Sequence, residues 1–169
     1  MKKHTILNIS VLATLLASLL SCVGIATEEQ QKSTIPSSVL ANFPGYHLLT
    51  LKERDSDTGA FLAGHFPKSN PSVVHGDFDG DGHQDYALLL KDDKSPMTKL
   101  VVLLCSNDDH CRNVYERDVT MYSDLVFLRP VTTPSSKLTR IQVTYFEKGK
   151  VLLYWNEKVK KIKEVQTAD

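Results

Sequence analysis

The sequence predicts a mostly β chain of the α+β type: an antiparallel sheet or sandwich of about eight short strands, preceded by one short N-terminal helix. Three observations support this. Beyond Pro44 the apolar residues recur with period two or in short continuous runs. Turn-forming clusters such as Asp92-Asp93-Lys94-Ser95-Pro96 and Lys148-Gly149 break those runs at short intervals. Strands do not alternate with long helical patterns, so a parallel sheet with crossover helices is not expected.

The elements follow in chain order. Residues 37–42 form the helix, entered through Ile35-Pro36 and ended by Pro44-Gly45, with Val39, Leu40 and Phe43 on its buried side. Residues 46–52 read as a strand, 55–59 as a turn and 60–66 as a returning strand, with 67–71 as the breaker. Residues 72–75 lead into an acidic loop, and 85–91 leave it as a strand. Residues 98–105 carry Leu100-Val101-Val102-Leu103-Leu104, apolar on both faces, and so read as a central strand. Residues 112–119 and 125–129 are further strands, and 130–137 is a loop rich in Thr, Ser and Pro. Residues 138–147, 150–156 and 159–165 close the chain as strands joined by hairpin turns.

The acidic loop reads Asp77-Phe78-Asp79-Gly80-Asp81-Gly82-His83-Gln84-Asp85. Carboxylates at alternate positions of a tight turn can point inward around one hard cation that takes several oxygens. Glycine at the sixth position, Gly82, permits the sharp turn. Asp77, Asp79, Asp81 and Asp85 are the candidate side-chain ligands of Ca2+, and His83 would give its backbone carbonyl. A helical calcium hand would need a glutamate at position twelve, where Leu88 stands. The competing reading is an acidic glycine-rich hairpin that holds no ion.

The stretch from Gly76 to Ala87 resembles the calcium-loop core of FG-GAP/VCBS-type repeats, the blades of integrin-α-like propellers. One copy does not supply the repeated blades of a propeller. The resemblance implies a mostly β calcium-loop module outside the cytoplasm, with no enzyme activity.

Export is expected on independent grounds. Lys2 and Lys3 precede an apolar stretch over 6–20, a length that suits a signal-peptide core and is short for a membrane span. Two cleavage readings compete. Leu19-Leu20-Ser21-Cys22 looks like a bacterial lipobox, which would lipidate Cys22; the rival is secretory cleavage after Ala26. The domain plan is therefore a signal segment over 1–26, a polar tether over 27–34 and one calcium-loop β domain over 35–169. The expected location is the periplasm or outer membrane of a bacterium, with secretion as the alternative.

Either cleavage leaves Cys105 and Cys111 as a pair, expected to be disulfide-bonded in an oxidising compartment. The alternative is a metal site built from both cysteines and His110 with Asp108 or Asp109. Twenty Lys and Arg balance twenty Asp and Glu, which argues against nucleic acid as a partner. Contact with a membrane is expected only through the N-terminal lipid.

No nucleophile elbow, phosphate loop, dinucleotide fingerprint or His-Glu-x-x-His motif is present. The expected function is therefore non-catalytic binding of another protein in the envelope or outside the cell, an inhibitor or immunity role included. Two alternatives stand beside it. One is a calcium-stabilised glycan-binding module using Tyr154 and Trp155 as an aromatic surface; the other is a small metal-dependent hydrolase.

Overall fold

The computed structural model describes residues 35–107, 110–133 and 136–167. The signal segment, the tether and Cys22 lie outside the described residues. At the centre are β3 (Asp85–Asp92) and β4 (Thr98–Asn107), paired antiparallel with Leu88 opposite Val101. β4 continues into β5 (His110–Asp118). The other edge of β3 is shared by two short strands. β1 (Tyr46–Leu48) pairs with its Leu90–Asp92 end and β2 (Val73–Gly76) with its Asp85–Leu88 end. A second sheet runs in chain order through β6 (Val126–Thr133), β7 (Ser136–Tyr145), β8 (Gly149–Asn156) and β9 (Lys161–Thr167), all antiparallel. The chain is thus mostly β, with two antiparallel sheets and little helix.

The sheets meet face to face. Ala87, Leu89, Leu100 and Val102 of the first pack with Leu128, Ile141, Val143 and Leu153 of the second in one buried cluster. The first sheet is covered on its outer face as well. There Tyr86, Leu88, Val101 and Leu103 pack under Val39, with Leu40 and Phe43 beside it; Val39 and Leu40 belong to α1 (Ser37–Ala41). Burial on both faces is the reason β3 and β4 read as continuous apolar runs rather than alternating ones. Each leucine or valine so buried contributes about 1.5–3 kcal/mol. All described residues belong to one compact unit, and no helix among them is long and apolar enough to cross a membrane.

Three expectations are corrected. The strand from Tyr46 stops at Leu48; Thr50 and Glu53 then form a capping box around a single 3-10 turn, Leu51–Glu53. Residues 55–66 are not a turn and a strand but helix α2 (Ser56–His65) with its caps. The Asp55 carboxylate accepts from the N–H groups of Asp57 and Thr58, so the acid read as a turn signal is an N-cap. Thr58 and Leu62, one turn apart, are the buried side of α2. The strand at Val126 also runs through Pro130 to Thr133 instead of yielding to a loop. Pro130 is tolerated because β6 is an edge strand, where a missing N–H breaks no ladder on the outer side.

Two ties brace the fold, one between the layers and one within the first sheet. The buried Arg54 guanidinium donates to the Val126 carbonyl and, at 2.7 Å, to Ser72 Oγ, linking the segment before α2 to β6 and to the entry of β2. Burial lowers its pKa to about 10. Cys105 on β4 and Cys111 on β5 stand opposite each other and form a disulfide. That bond consumes both thiolates and removes the alternative metal site built on them. Replacing both cysteines by serine is expected to lower stability by about 2 kcal/mol, read as a lower urea midpoint at unchanged slope.

Candidate metal centre

The acidic loop joins β2 to β3, and Gly76 and Asp85 face each other in register at its base. Its backbone is held from both ends. The Asp77 carbonyl accepts from the Thr139 N–H of β7 at 2.8 Å. The Phe78 ring is buried in the core between the sheets. Gly80 and Gly82 take φ of +89° and +85°, the left-handed turns expected of glycine at these places.

The loop's carboxylates accept from the loop's own N–H groups. Asp77 takes Gly80 N–H at 2.6 Å on Oδ1 and Gly82 N–H at 3.1 Å on Oδ2. Asp79 accepts from Asp81 N–H at 3.3 Å, and Asp81 from His83 N–H at 2.8 Å. Asp85 is fully buried, and its two oxygens take Phe78 N–H at 2.8 Å and Cys105 N–H at 2.9 Å. Ligand atoms of Asp77, Asp79 and Asp85 lie within 4.8 Å of one another. Asp81 stands outside that trio, and His83 is exposed. Asp79 and Asp81 also border a cleft of about 470 Å³ alongside the disulfide, His110 and Arg112.

Burial leaves an electrostatic signature on Asp85. Burial first, then the charges of Asp79 and Asp81, raise its pKa from 3.8 to about 6, against the two backbone N–H groups that lower it. Because the folded value lies above the unfolded one, its contribution is fully present below pH 3.8 and is lost as pH rises through about 6. In chelator, stability is expected to fall by about 3 kcal/mol over that window on this account. Urea unfolding of the wild type against Asp85→Asn, taken across the window, isolates the difference; parallel pH curves for the two chains would refute it.

The donor set fits a hard cation: it is made of oxygen alone. Each oxygen of Asp77 and Asp85 accepts one N–H and keeps a further lone pair. A divalent ion among the three carboxylates would offset the burial of the Asp85 charge, the main cause of its raised pKa, and its lesser repulsion by Asp79.

The proposed aromatic surface is corrected. Trp155 is 8% exposed and belongs to the core between the sheets, its indole N–H donating to Glu157 at 2.8 Å. It pairs with Ile162, which is buried too, so this register turns Trp155 inward and Tyr154 to the opposite face. Two features had no clear sequence signal. One is the Cys105 N–H at Asp85, twenty residues away in the chain. The other is a cleft of about 390 Å³ where Phe61 and Phe66, from α2 and its end, meet Phe127 and Phe146. No protein-family model, curated protein or solved structure matches this chain.

Proposed function

We propose that this is a non-catalytic extracytoplasmic protein that binds Ca2+ in its 76–85 loop and engages another protein, an inhibitor or immunity role being one form of that binding. The observation that carries the calcium reading is the convergence of Asp77, Asp79 and Asp85 on a loop already held by its own N–H groups, by Phe78 and by Thr139. Asp77, Asp79 and Asp85 would hold the ion, with Asp81 and the His83 carbonyl completing the set. The ion would supply charge neutralisation and stiffness rather than chemistry on a substrate. The disulfide supports an oxidising compartment, consistent with export and with lipidation at Cys22. The burial of Trp155 removes the aromatic pair that motivated a glycan module.

Calorimetric titration of the full chain in a mild detergent tests the ion. The expected dissociation constant is on the order of 10⁻⁴–10⁻³ M, adding about 0.4–1.4 kcal/mol of stability at millimolar calcium. Asp79→Asn is expected to weaken it about tenfold, since one ligand charge is lost. Titration without calcium heat, together with unfolding curves identical in calcium and chelator, would remove the metal site. Affinity capture in calcium and again in chelator tests the partner. One stoichiometric protein is expected; none in either buffer would remove the protein-binding reading.

A further inference from the structure

The outer face of the second sheet carries an uneven charge. Tyr154 of β8 stands opposite Lys163 of β9, and Arg140 of β7, one residue before the Ile141–Leu153 pair, borders a small cleft together with Tyr154. Arg129 of β6 lies opposite Gln142, and Lys161 opposite Asn156. No position on this face of β6–β9 is an aspartate or glutamate. Arg129, Arg140, Lys161 and Lys163 have no carboxylate partner among the described residues. Elsewhere Lys91, Lys99 and Arg117 each meet one. The chain as a whole carries no net charge, so this face is a local basic field balanced by acids on other surfaces.

The same face borders the phenylalanine cleft. Phe127, Arg129, Gln142 and Lys150 of the face help to line it, as does Glu147 of the β7–β8 turn. The Arg129 guanidinium sits 4.6 Å over the Phe66 ring. Arg140 is the next outward residue along β7 from Gln142, and Lys163 lies two strands further, roughly 9.6 Å at ordinary strand spacing. One surface thus combines a recessed apolar socket with a band of cations beside it.

We propose that this face is the partner-docking surface, and that its occupant is an acidic segment of another protein carrying one bulky apolar side chain. The proposal rests on the reading that the chain binds a protein. The apolar side chain fills the cleft between α2 and β6–β7. The carboxylates of the segment meet Arg129, Arg140, Lys161 and Lys163, with Tyr154 between two of the cations as a rigid contact. Charge complementarity selects this occupant: a neutral polysaccharide offers no carboxylate to Arg129, Arg140, Lys161 and Lys163, and a flat plane of lipid headgroups offers no protruding side chain to enter the cleft beside Phe61, Phe66, Phe127 and Phe146.

The test uses the full chain in mild detergent and fluorescence anisotropy with labelled peptides. The probe is a run of glutamates around a central phenylalanine; one control replaces the phenylalanine by alanine and another replaces the glutamates by lysine. The glutamate–phenylalanine peptide is expected to bind in a salt-sensitive way, and each control about tenfold or more weaker. Arg140→Glu with Lys163→Glu, both away from the core, is expected to cost about tenfold, while Lys94→Glu on the β3–β4 turn costs nothing measurable. Equal binding by the charge-reversed chain, or by the alanine peptide, overturns the proposal. So does preferential, reversal-sensitive binding of dextran sulfate or of phosphatidylglycerol vesicles, which would assign the face to a glycan or a membrane. Affinity capture with both chains separates the two readings. A partner held equally by wild type and reversed chain sinks this surface and leaves protein binding standing. Capture of nothing by wild type, while the peptide still binds, sinks protein binding and leaves the chemistry of the face.

Discussion

Asp85→Ala is expected to lower stability by about 4 kcal/mol when measured in chelator at pH 5. The carboxylate is fully buried and is the acceptor for two backbone N–H groups, those of Phe78 and Cys105. Alanine leaves both donors buried without a partner, each costing about 1–3 kcal/mol, and opens a small void. Asp85→Asn should fall between the two chains, since its one oxygen keeps one N–H while its amide nitrogen faces the other. The pH 5 condition matters because Asp85, with its pKa pushed up to about 6, is then mostly neutral in the fold. At higher pH, removal of the buried charge offsets part of the loss. Urea midpoints of the three chains give the ranking. An alanine chain as stable as the wild type would mean that Asp85 does not bridge the loop and β4.

Gly76→Ala is the second large effect, expected at about 3 kcal/mol. Gly76 has φ of +156°, and a Cβ there would lie 2.4 Å from Thr139 Oγ1 and 2.8 Å from Thr139 Cβ. Thr139 cannot retreat cheaply, because its N–H is bonded to the Asp77 carbonyl next to the substituted residue. The clash therefore opens the contact between the loop and β7 or distorts the base of the β2–β3 hairpin. In a Thr139→Gly background the same substitution should cost less, and the coupling in that double-mutant cycle separates collision from backbone strain. A cost unchanged by the background would place the whole effect in the backbone.

The features readable from the sequence were those whose cause is local. Alternating acids with glycine at the turn marked the 76–85 loop. The unbroken run from Leu100 to Leu104 marked a strand covered on both faces. Cys105 and Cys111 were close enough in the chain to suggest their bond. The misreadings share a different cause. Asp55 begins a helix because Leu62 and Thr58 find a buried site, a condition set by tertiary packing rather than by the Asp-Ser-Asp-Thr-Gly string. The side to which Trp155 turns depends on its register with Ile162, and alternation alone permits either side. The anchoring of Asp85 by Cys105 depends on the neighbour strand and left no trace in the loop's own residues.

Pro130 on β6 has a bearing on assembly. An exposed strand edge is a template on which another chain can lay a strand and extend the sheet. On β6 that edge carries one residue with no N–H to give, at its exposed middle. Continuous strand addition is therefore interrupted on this side of the second sheet, and two copies of the chain are discouraged from joining edge to edge there. Recognition at this end of the molecule then depends on which side chains a partner presents, and not on its readiness to adopt an extended backbone.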